Sequence, residues 1–354
     1  MSLLLTRMQN LRSGSNLDKY ELRASRYGAF DLFVSQTNDP SGIITPELKQ
    51  KAAMSMGNIL QTAVFDFDSV ITINNVRSAV IVDDENTSRM IDITFATFAF
   101  GFTQTPASFL NNEKSLQQDF ERKLMKYVYG LAGMLDTTAV AALELRRSQI
   151  LKDRLLYTFN PQFTVRATFP QRETIIGDLD PLMASNDFYG PIHVLGNAGF
   201  ESLIRQLTEK GLYNVENKQL QFSDKILHFS NRIPNAPAII TPDTPAAYAT
   251  GYVVNGGSVG ILNRVEPESL LGTKAATGHV WGIERLPVLD LEVGTYYYES
   301  VGDFSAIAGA ASAHLTRARK DHYGFAVDLA FMVAYNSAPT TTPEPILKFD
   351  VATS

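Results

Sequence analysis

The clearest pattern in the chain lies between Asn111 and Lys152, where apolar residues recur at every third or fourth position. In the first part of this stretch they form one stripe, made of Leu116, Phe120, Leu124, Tyr127, Val128, Leu131 and Leu135. The spacing predicts an amphipathic helix from Asn112 to Leu135, about 23 residues and roughly 35 Å long, capped by Asn111 or Asn112. A joint at residues 135–138 is predicted next, with Asp136 or the Thr137–Thr138 pair capping a second helix that runs to Arg147.

The polar residues of the first helix are expected to face solvent. They are Lys114, Gln117, Asp119, Glu121, Arg122, Lys123 and Lys126. Asp119 and Lys123 are spaced i,i+4, which predicts a weak supporting ion pair.

Strand patterns come before this helix. Thr45-Pro46-Glu47 has the order of a helix N-cap and first turn, and predicts a helix to about Thr62. Strand-like runs follow at Val64–Ile73, Val76–Val82 and Met90–Phe102, with the acidic residues 83–85 as a loop tip. The alternation changes phase near Ala96 and Thr97, which predicts a β-bulge. The phenylalanines of the return strand need a packing partner, either in their own domain or in a neighbouring subunit.

The pattern after the long helix is mixed. The predicted elements are a strand pair or extended segment at Leu155–Phe169, a short helix opening at Asp180-Pro181, a strand at Pro191–Gly196, a helix from Asn197 to Lys210, a strand pair at Leu220–Ile233, a hairpin turning at Asn255-Gly256, a strand at Val288–Tyr298, a buried central strand at Phe325–Tyr335 and a short strand at Ile346–Val351. Runs of strands interrupted by only a few helices, without a regular β-α alternation, indicate an α+β fold.

Composition narrows the class. The chain has 354 residues, 45% of them apolar and 19% charged, which is typical of a folded protein with two or more lobes. The net charge of −6 argues against a dedicated nucleic-acid-binding surface, and the absence of cysteine excludes disulfides and thiol chemistry. No signal peptide or membrane span is predicted, so no membrane partner is expected. Residues 1–45 look like an extended basic arm that either touches an anionic partner or docks on its own domain.

Motifs for chemistry are scarce. There is no phosphate loop, no nucleophile elbow and no paired-histidine zinc motif, and the five histidines (His193, His228, His279, His314 and His322) lack metal-ligand spacing. Asp66 and Asp68 form a D-x-D that can hold a divalent metal, although surface carboxylates beside core aromatics explain it more simply. The acidic tip is interpreted as a solvated turn, and Asn255–Ser258 as a turn and not a phosphate site. Trp281 is interpreted as a core or interface residue. No catalytic, cofactor-binding or metal residue is assigned, no cofactor is expected, and the chain is predicted not to be an enzyme.

The order of these elements resembles the major capsid proteins of tailed bacteriophages, which have the Hong Kong 97-like fold. The stretches that carry the resemblance are Val70–Phe109 as the extended loop, Asn112–Leu135 as the spine helix, Gly190–Gly211 with Asn255–Leu262 in the axial domain, Phe325–Tyr335 in the peripheral sheet, and the Asn231-Arg232-Ile233-Pro234 segment. The resemblance rests on architecture and covers essentially the whole chain.

The resemblance implies a division into segments. These are an N-terminal arm (1–45), a short helix and strand (46–69), an extended β-hairpin loop (70–110), the spine helix and peripheral domain (111–190), a mainly axial domain with returning peripheral strands (191–315), and C-terminal peripheral strands and tail (316–354).

It also implies a function. The chain would self-assemble through pentamers and hexamers into the icosahedral head shell of a virion, built in the bacterial host cytoplasm around double-stranded DNA held by non-specific contacts. A separate scaffolding protein, a portal and, in decorated shells, a decoration protein would be its partners. Two alternatives remain open: an encapsulin-type nanocompartment shell, and a metal-dependent sugar-nucleotide enzyme built on Asp66 and Asp68.

Overall fold

The computed structural model describes residues 3–13, 27–40, 42–55, 59–65, 88–109, 115–209, 225–234, 247–265, 269, 279–301, 319–335 and 342–353. Six α-helices and thirteen β-strands lie in these ranges, which confirms the α+β class. The predicted strand Val76–Val82, the acidic tip at 83–85, Asp66, Asp68 and His314 lie outside the described residues.

The elements follow one another in a mixed order. The helices are α1 (Leu3–Ser13), α2 (Gly28–Thr37), α3 (Pro46–Met54), α4 (Leu116–Leu145), α5 (Ile175–Ser185) and α6 (Ala198–Glu209). The strands are β1 (Ile59–Phe65), β2 (Ser88–Thr94), β3 (Ala96–Gln104), β4 (Thr158–Phe159), β5 (Val165–Ala167), β6 (Ile192–Gly196), β7 (Lys225–Phe229), β8 (Ala247–Asn255), β9 (Val259–Arg264), β10 (His279–Arg285), β11 (Glu292–Val301), β12 (Arg319–Val333) and β13 (Ile346–Ala352).

The long helix α4 is one uninterrupted element of 30 residues, so the predicted joint at residues 135–138 is wrong. The helix accommodates Thr137 and Thr138, whose hydroxyls donate to the carbonyls of Gly133 and Met134, one turn earlier, at 2.8 and 3.0 Å. The helix also starts later than predicted: Ser115 is its N-cap, in a reciprocal capping box with Gln118.

Two shorter helices also differ from their predictions. Thr45 caps α3 as expected, by accepting a hydrogen bond from the Leu48 amide at 3.2 Å, but the helix ends at Met54 and Ile59–Phe65 is a strand. Asp180 and Pro181 do not open a helix. They lie inside α5, which begins at Ile175 directly after a 3-10 turn.

One sheet is built around β12. The strand order of this five-stranded sheet is β10-β11-β12-β3, and β9 pairs with the C-terminal part of β12. The central position confirms the prediction of a buried strand at Phe325–Tyr335, although β12 begins earlier, at Arg319, and ends at Val333. The sequence reading missed β10, whose one large ring is Trp281.

The other sheet has six strands in the order β4-β5-β13-β8-β6-β7. Strand β6, helix α6 and the parallel strand β7 form a β-α-β unit, which confirms the strand and helix predicted from Pro191 to Lys210. The turn at Asn255-Gly256 is present, but the flanking strands do not pair with each other, because β8 belongs to this sheet and β9 to the other.

A two-stranded antiparallel ribbon stands apart from both sheets. Strands β1 and β2 pair over seven residues, from Ile59 opposite Thr94 to Phe65 opposite Ser88. The predicted phase change occurs here, since buried positions are odd up to Phe95 and even from Phe98 onward. Its cause is a change of sheet and not a bulge: β2 belongs to the ribbon, and β3 pairs with β12.

The largest core cluster surrounds α4 and takes residues from α1, α2 and both sheets. A second core lies between the six-stranded sheet and helices α5 and α6, and a small third one lies under the ribbon beside α3. The aromatic residues of β3 belong to the first core, where Phe100 stacks on Phe325 at 4.9 Å between ring centroids. These rings therefore pack within their own subunit.

Candidate functional site

Three carboxylates along the long helix α4 attach the rest of the subunit to it. Asp119, Asp136 and Glu144 lie near its start, in its second half and at its end. At about 1.5 Å of rise per residue, the first and last are roughly 37 Å apart along the axis. Each of them contacts a different part of the fold, so α4 determines how those parts are spaced.

Asp119 was expected on the solvent face, but it is 5% exposed. It accepts a hydrogen bond from Gln104 Nε2 at 2.9 Å, and the predicted ion pair with Lys123 is confirmed at 2.9 Å. Burial alone would raise the pKa of Asp119, but the hydrogen bonds from Gln104 and Lys123 and the charge of Lys123 lower it below its usual value. The start of α4 is thus tied to the end of β3.

The N-terminal helix α1 joins the same cluster through Arg7, which is 5% exposed. Its guanidinium donates to Gln104 Oε1 and lies 3.8 Å from Asp321 of β12. The same group lies 5.6 and 5.4 Å from the ring centroids of Phe120 and Tyr323, within cation–π range. Leu3–Ser13 and Gly28–Thr37 are helices and not extended chain. They dock on their own subunit, which is the second of the two expectations for residues 1–45, because each carries apolar side chains that the core buries.

Asp136 is fully buried and caps a helix other than the one predicted. Its Oδ1 accepts from the amides of Ala29 and Phe30, at 2.8 and 3.1 Å, and so satisfies the N-terminus of α2. Its Oδ2 accepts from the Ser230 hydroxyl at 2.5 Å. Burial raises the pKa of Asp136, although these hydrogen bonds and the charge of Arg232 act in the opposite direction.

Glu144 connects the end of α4 to the six-stranded sheet. It accepts from the Tyr252 hydroxyl at 2.5 Å and from Lys348 Nζ at 3.0 Å, and it is 3.1 Å from Arg147. Burial alone would raise the pKa of Glu144, but the Tyr252 hydrogen bond and the charges of Lys348 and Arg147 lower it.

A groove of about 660 Å³ lies between the ribbon and the subunit. The inward faces of β1 and β2 form one wall through Thr62, Ile91 and Ile93, and the end of α4 contributes Leu145 and Arg146. On the outer face of the ribbon, Ile59 is 58% exposed and Met90 61% exposed. The ribbon thus has one face toward its own subunit, and its other face carries these two exposed apolar side chains beside the polar pair Gln61 and Asp92.

The residues weighed for chemistry are dispersed. Trp281 is half-buried on the five-stranded sheet, among the rings of His279 and Tyr296. The segment Asn255–Ser258 is a turn, as expected, with the Gly256 amide donating to the Pro191 carbonyl at 2.9 Å. Over the ranges that the structure describes, no group of three or more acidic or histidine side chains could hold a metal ion.

Sequence reasoning missed two histidines that the fold brings together. His193 and His228 lie on neighbouring strands, with their ring nitrogens 3.1 Å apart. No spacing rule links positions 35 residues apart, and the parallel pairing of β6 and β7 across a helix is what joins them. A signal was present for one of the two, however: His193 interrupts the otherwise apolar predicted strand Pro191–Gly196.

Helix α4 is the one described helix whose length and composition would allow it to cross a membrane. In this structure it is a core helix: it carries the buried Asp119 and Asp136, and it packs against α1, α2, β3 and β12.

No family model matches the chain, and no curated protein matches it. Among solved structures, a protein of Mycobacterium phage Che8 is similar, with a TM-score of 0.48 and 12% identity over 90% of each chain. A chain of the capsid structure of the cyanophage P-SCSP1u has a TM-score of 0.46 and 11% identity, over 85% of this chain and 86% of that one. A chain of the bacteriophage PhiM1 mature capsid has a TM-score of 0.46 and 12% identity, over 85% and 84%. At these values the likeness is a similarity alone.

Proposed function

We propose that this chain is a shell-forming subunit, the major capsid protein of a tailed bacteriophage, which self-assembles into the icosahedral head around double-stranded DNA. The observation that carries the proposal is the ribbon of β1 and β2, which extends from an otherwise well-packed subunit. The sequence resemblance to the Hong Kong 97-like fold places β2, but not β1, in an extended loop at 70–110 that would reach a neighbour.

The ribbon needs a partner that its own subunit does not fully provide. A two-stranded ribbon is marginally stable in water by itself, and within the described ranges β1 and β2 pair only with each other. The inner face packs on the small core beside α3, but Ile59 and Met90 remain exposed on the outer face. A second copy of the chain is the partner that would cover them.

The rest of the subunit supports this role because the ribbon is continuous with a strand that is paired and hydrogen-bonded to the core. Strand β2 leads through Phe95 directly into β3, which pairs with β12 over nine residues. Strand β3 is in turn tied to α4 through Gln104 and Asp119. A contact made by the ribbon therefore acts on the whole subunit, and many modest contacts of this kind can close a symmetric shell.

The acidic balance fits a shell wall next to a genome. With a net charge of −6 the chain has little non-specific attraction for phosphate, so packaged DNA would be held by few contacts and not adsorbed to the wall. A separate scaffolding protein and a portal would direct assembly, with a decoration protein added where the shell is decorated. The assembled chain would reside in the virion, after assembly in the host cytoplasm.

Negative-stain microscopy of the overexpressed chain tests the proposal. We expect capsomers and closed shells from the wild type. The proposal is refuted if the purified chain remains a compact monomer under all assembly conditions and forms no particles. Nuclease-protected DNA in particles from infected cells would support the capsid, whereas an enzyme cargo in place of DNA would indicate a nanocompartment shell.

A paired variant tests the ribbon itself. Ile59→Lys with Met90→Lys should leave subunit folding within about 0.5 kcal/mol of the wild type, because both side chains are exposed, but should prevent shell formation. Met134→Lys is the matched control, since Met134 is 60% exposed on α4 and the chemical change is the same. Shortening residues 83–88 should act like the ribbon variant. If the ribbon variant assembles as well as the control, the ribbon is not the contact.

A further inference from the structure

Three titratable side chains form a chain of contacts across three elements. His193 Nδ1 on β6 is 3.1 Å from His228 Nε2 on β7, and His228 Nδ1 is 3.2 Å from Asp31 Oδ2 on α2. Both histidines are 6% exposed, whereas the Asp31 side chain reaches solvent. The contacts join helix α2 to the edge strand of the six-stranded sheet.

The backbone at this junction is tightly packed. A Cβ on Gly28, the first residue of α2, would lie 2.4 Å from the Phe229 carbonyl oxygen of β7. Tyr27 and Ser230 form an isolated antiparallel bridge beside it. The helix therefore meets the edge strand directly, and the histidine chain lies where the two touch.

The proton positions follow from the partners. A carboxylate only accepts hydrogen bonds, so the Nδ1 of His228 carries a proton and donates to Asp31. In a neutral His228 the Nε2 is then an acceptor, so the Nδ1 of His193 must be the donor. One added proton can be shared along this chain, but a second one places two N–H groups against each other across 3.1 Å.

The surroundings favour a neutral His193. Burial, followed by the charge of His228, lowers the pKa of His193 to about 4, while Asp39 and Asp31 act in the opposite direction. On β8 the residue opposite His193 is the apolar Val254, and on β7 it is Ile226. The other titratable groups on the packed elements are engaged elsewhere: Lys225 with Asp180, Tyr252 with Glu144, and Asp136 with the α2 amides. The raised pKa of Asp136 lets the folded state take up a proton more easily, so Asp136 opposes acid opening and does not cause it.

We propose that His193, His228 and Asp31 form a proton-sensitive contact that holds α2 to the edge strand β7, and that double protonation of the histidine pair releases the helix. The inference concerns the single subunit, so it stands apart from the proposed function and is tested on unassembled chains.

The size of the effect follows from linkage. The folded form binds fewer protons than an open form, so lowering the pH favours opening. If opening returns the pKa of His193 from about 4 to its ordinary value of 6.5, the opening equilibrium rises roughly 20-fold between pH 7 and pH 5. Nearly all of the change falls below pH 6.5, where an open His193 takes up its proton.

Hydrogen exchange on the purified full-length chain measures this directly. After correction for intrinsic exchange rates, the amides of Gly28–Thr37 and Lys225–Phe229 should lose about 20-fold of their protection between pH 7 and pH 5, relative to those in the middle of α4. His193→Gln keeps a donor toward His228 but does not titrate, so its loss should stay below about threefold. His322→Gln is the matched control, because His322 lies on the other sheet and contacts Ser300, and this variant should behave as the wild type.

Two results would overturn the inference: pH-independent protection of these segments in the wild type, or an equal loss in His193→Gln and the wild type. If His193→Gln does not fold, His228→Gln serves as the second variant, since it also removes the facing charge. The pH dependence of protection in the wild type also shows whether the loss is confined to α2 and β7. An equal loss of protection in α4 would count against a local contact.

Discussion

Asp136→Ala offers the sharpest test of how the long helix organises this subunit. The substitution removes the acceptor for the amides of Ala29 and Phe30 and for the hydroxyl of Ser230, all of which are buried or partly buried. Loss of a helix N-cap costs about 1–2 kcal/mol. The Ser230 hydroxyl is a further buried donor that would lose its acceptor, which costs about 1–3 kcal/mol more. We expect the free energy of unfolding to fall by about 2–5 kcal/mol in total.

Two companion variants separate the causes. Asp136→Asn keeps one acceptor oxygen for the amides of α2. It removes the charge and places an NH2 donor where Oδ2 accepts from the Ser230 hydroxyl, so it should lose about 1–2 kcal/mol. Thr137→Ala alters the adjacent, exposed residue and should change the free energy of unfolding by less than about 0.7 kcal/mol, because alanine is the better helix former.

The measurement is urea unfolding of unassembled subunits, followed by circular dichroism and by hydrogen exchange at Ala29 and Phe30. The two readouts should agree if α2 unfolds with the helix that carries its cap. An Asp136→Ala variant that loses less than about 1 kcal/mol, or no more than Thr137→Ala, would refute the reasoning that a buried carboxylate fixes α2 to α4.

Three further predictions use the same logic. Gly28→Ala should destabilise the subunit by at least about 2 kcal/mol, because its Cβ would meet the Phe229 carbonyl. Gly130→Ala on the open face of α4 should instead stabilise it by about 0.5–1 kcal/mol. Thermal melts that fail to separate the two variants would contradict the close packing of α2 against β7. Glu144 has a lowered pKa in the fold, so its contribution is present above pH 4.5 and is lost as the pH falls through the folded pKa. The stability difference between wild type and Glu144→Gln, measured by urea unfolding, should be largest at pH 7 and shrink as the pH falls below 4.5, and a difference that does not change with pH would exclude this role. Leu124→Asp should abolish folding, since it places a charge at a fully buried position, and a soluble variant with a wild-type circular dichroism spectrum would disprove the burial of that face.

Local periodicity predicted the parts of the fold that depend on neighbouring residues. The apolar stripe of α4, the β6–α6 succession and the buried strand near Phe325 all follow from side chains that repeat along one element. The phase change near Ala96 was also visible in the sequence, because a strand that changes sheets must exchange its inner and outer faces.

The errors share one physical origin, which is partners distant in sequence. Asp136 followed by two threonines is typical of an N-cap, but the amides that it caps belong to α2, 106 and 107 residues away. The turn at Asn255-Gly256 has hairpin chemistry, yet β9 gains more by pairing with β12. Arg7 reads as part of a solvated arm until Gln104 and Asp321 supply a buried site for it. No local pattern encodes such contacts, and the histidine pair is missed for the same reason.

The anchoring carboxylates of α4 also restrict how the gene for this chain can change. Each residue inserted into an α-helix turns everything beyond it by about 100° and moves it by about 1.5 Å. Between Asp119 and Glu144, an insertion or deletion of one residue would therefore rotate one carboxylate away from partners that cannot follow. Substitutions on the exposed face can accumulate while the number of residues between the carboxylates stays constant. In a set of related genes, length variation would accordingly be confined to segments outside this helix, and the 25-residue interval between the two carboxylates would be its most constant dimension.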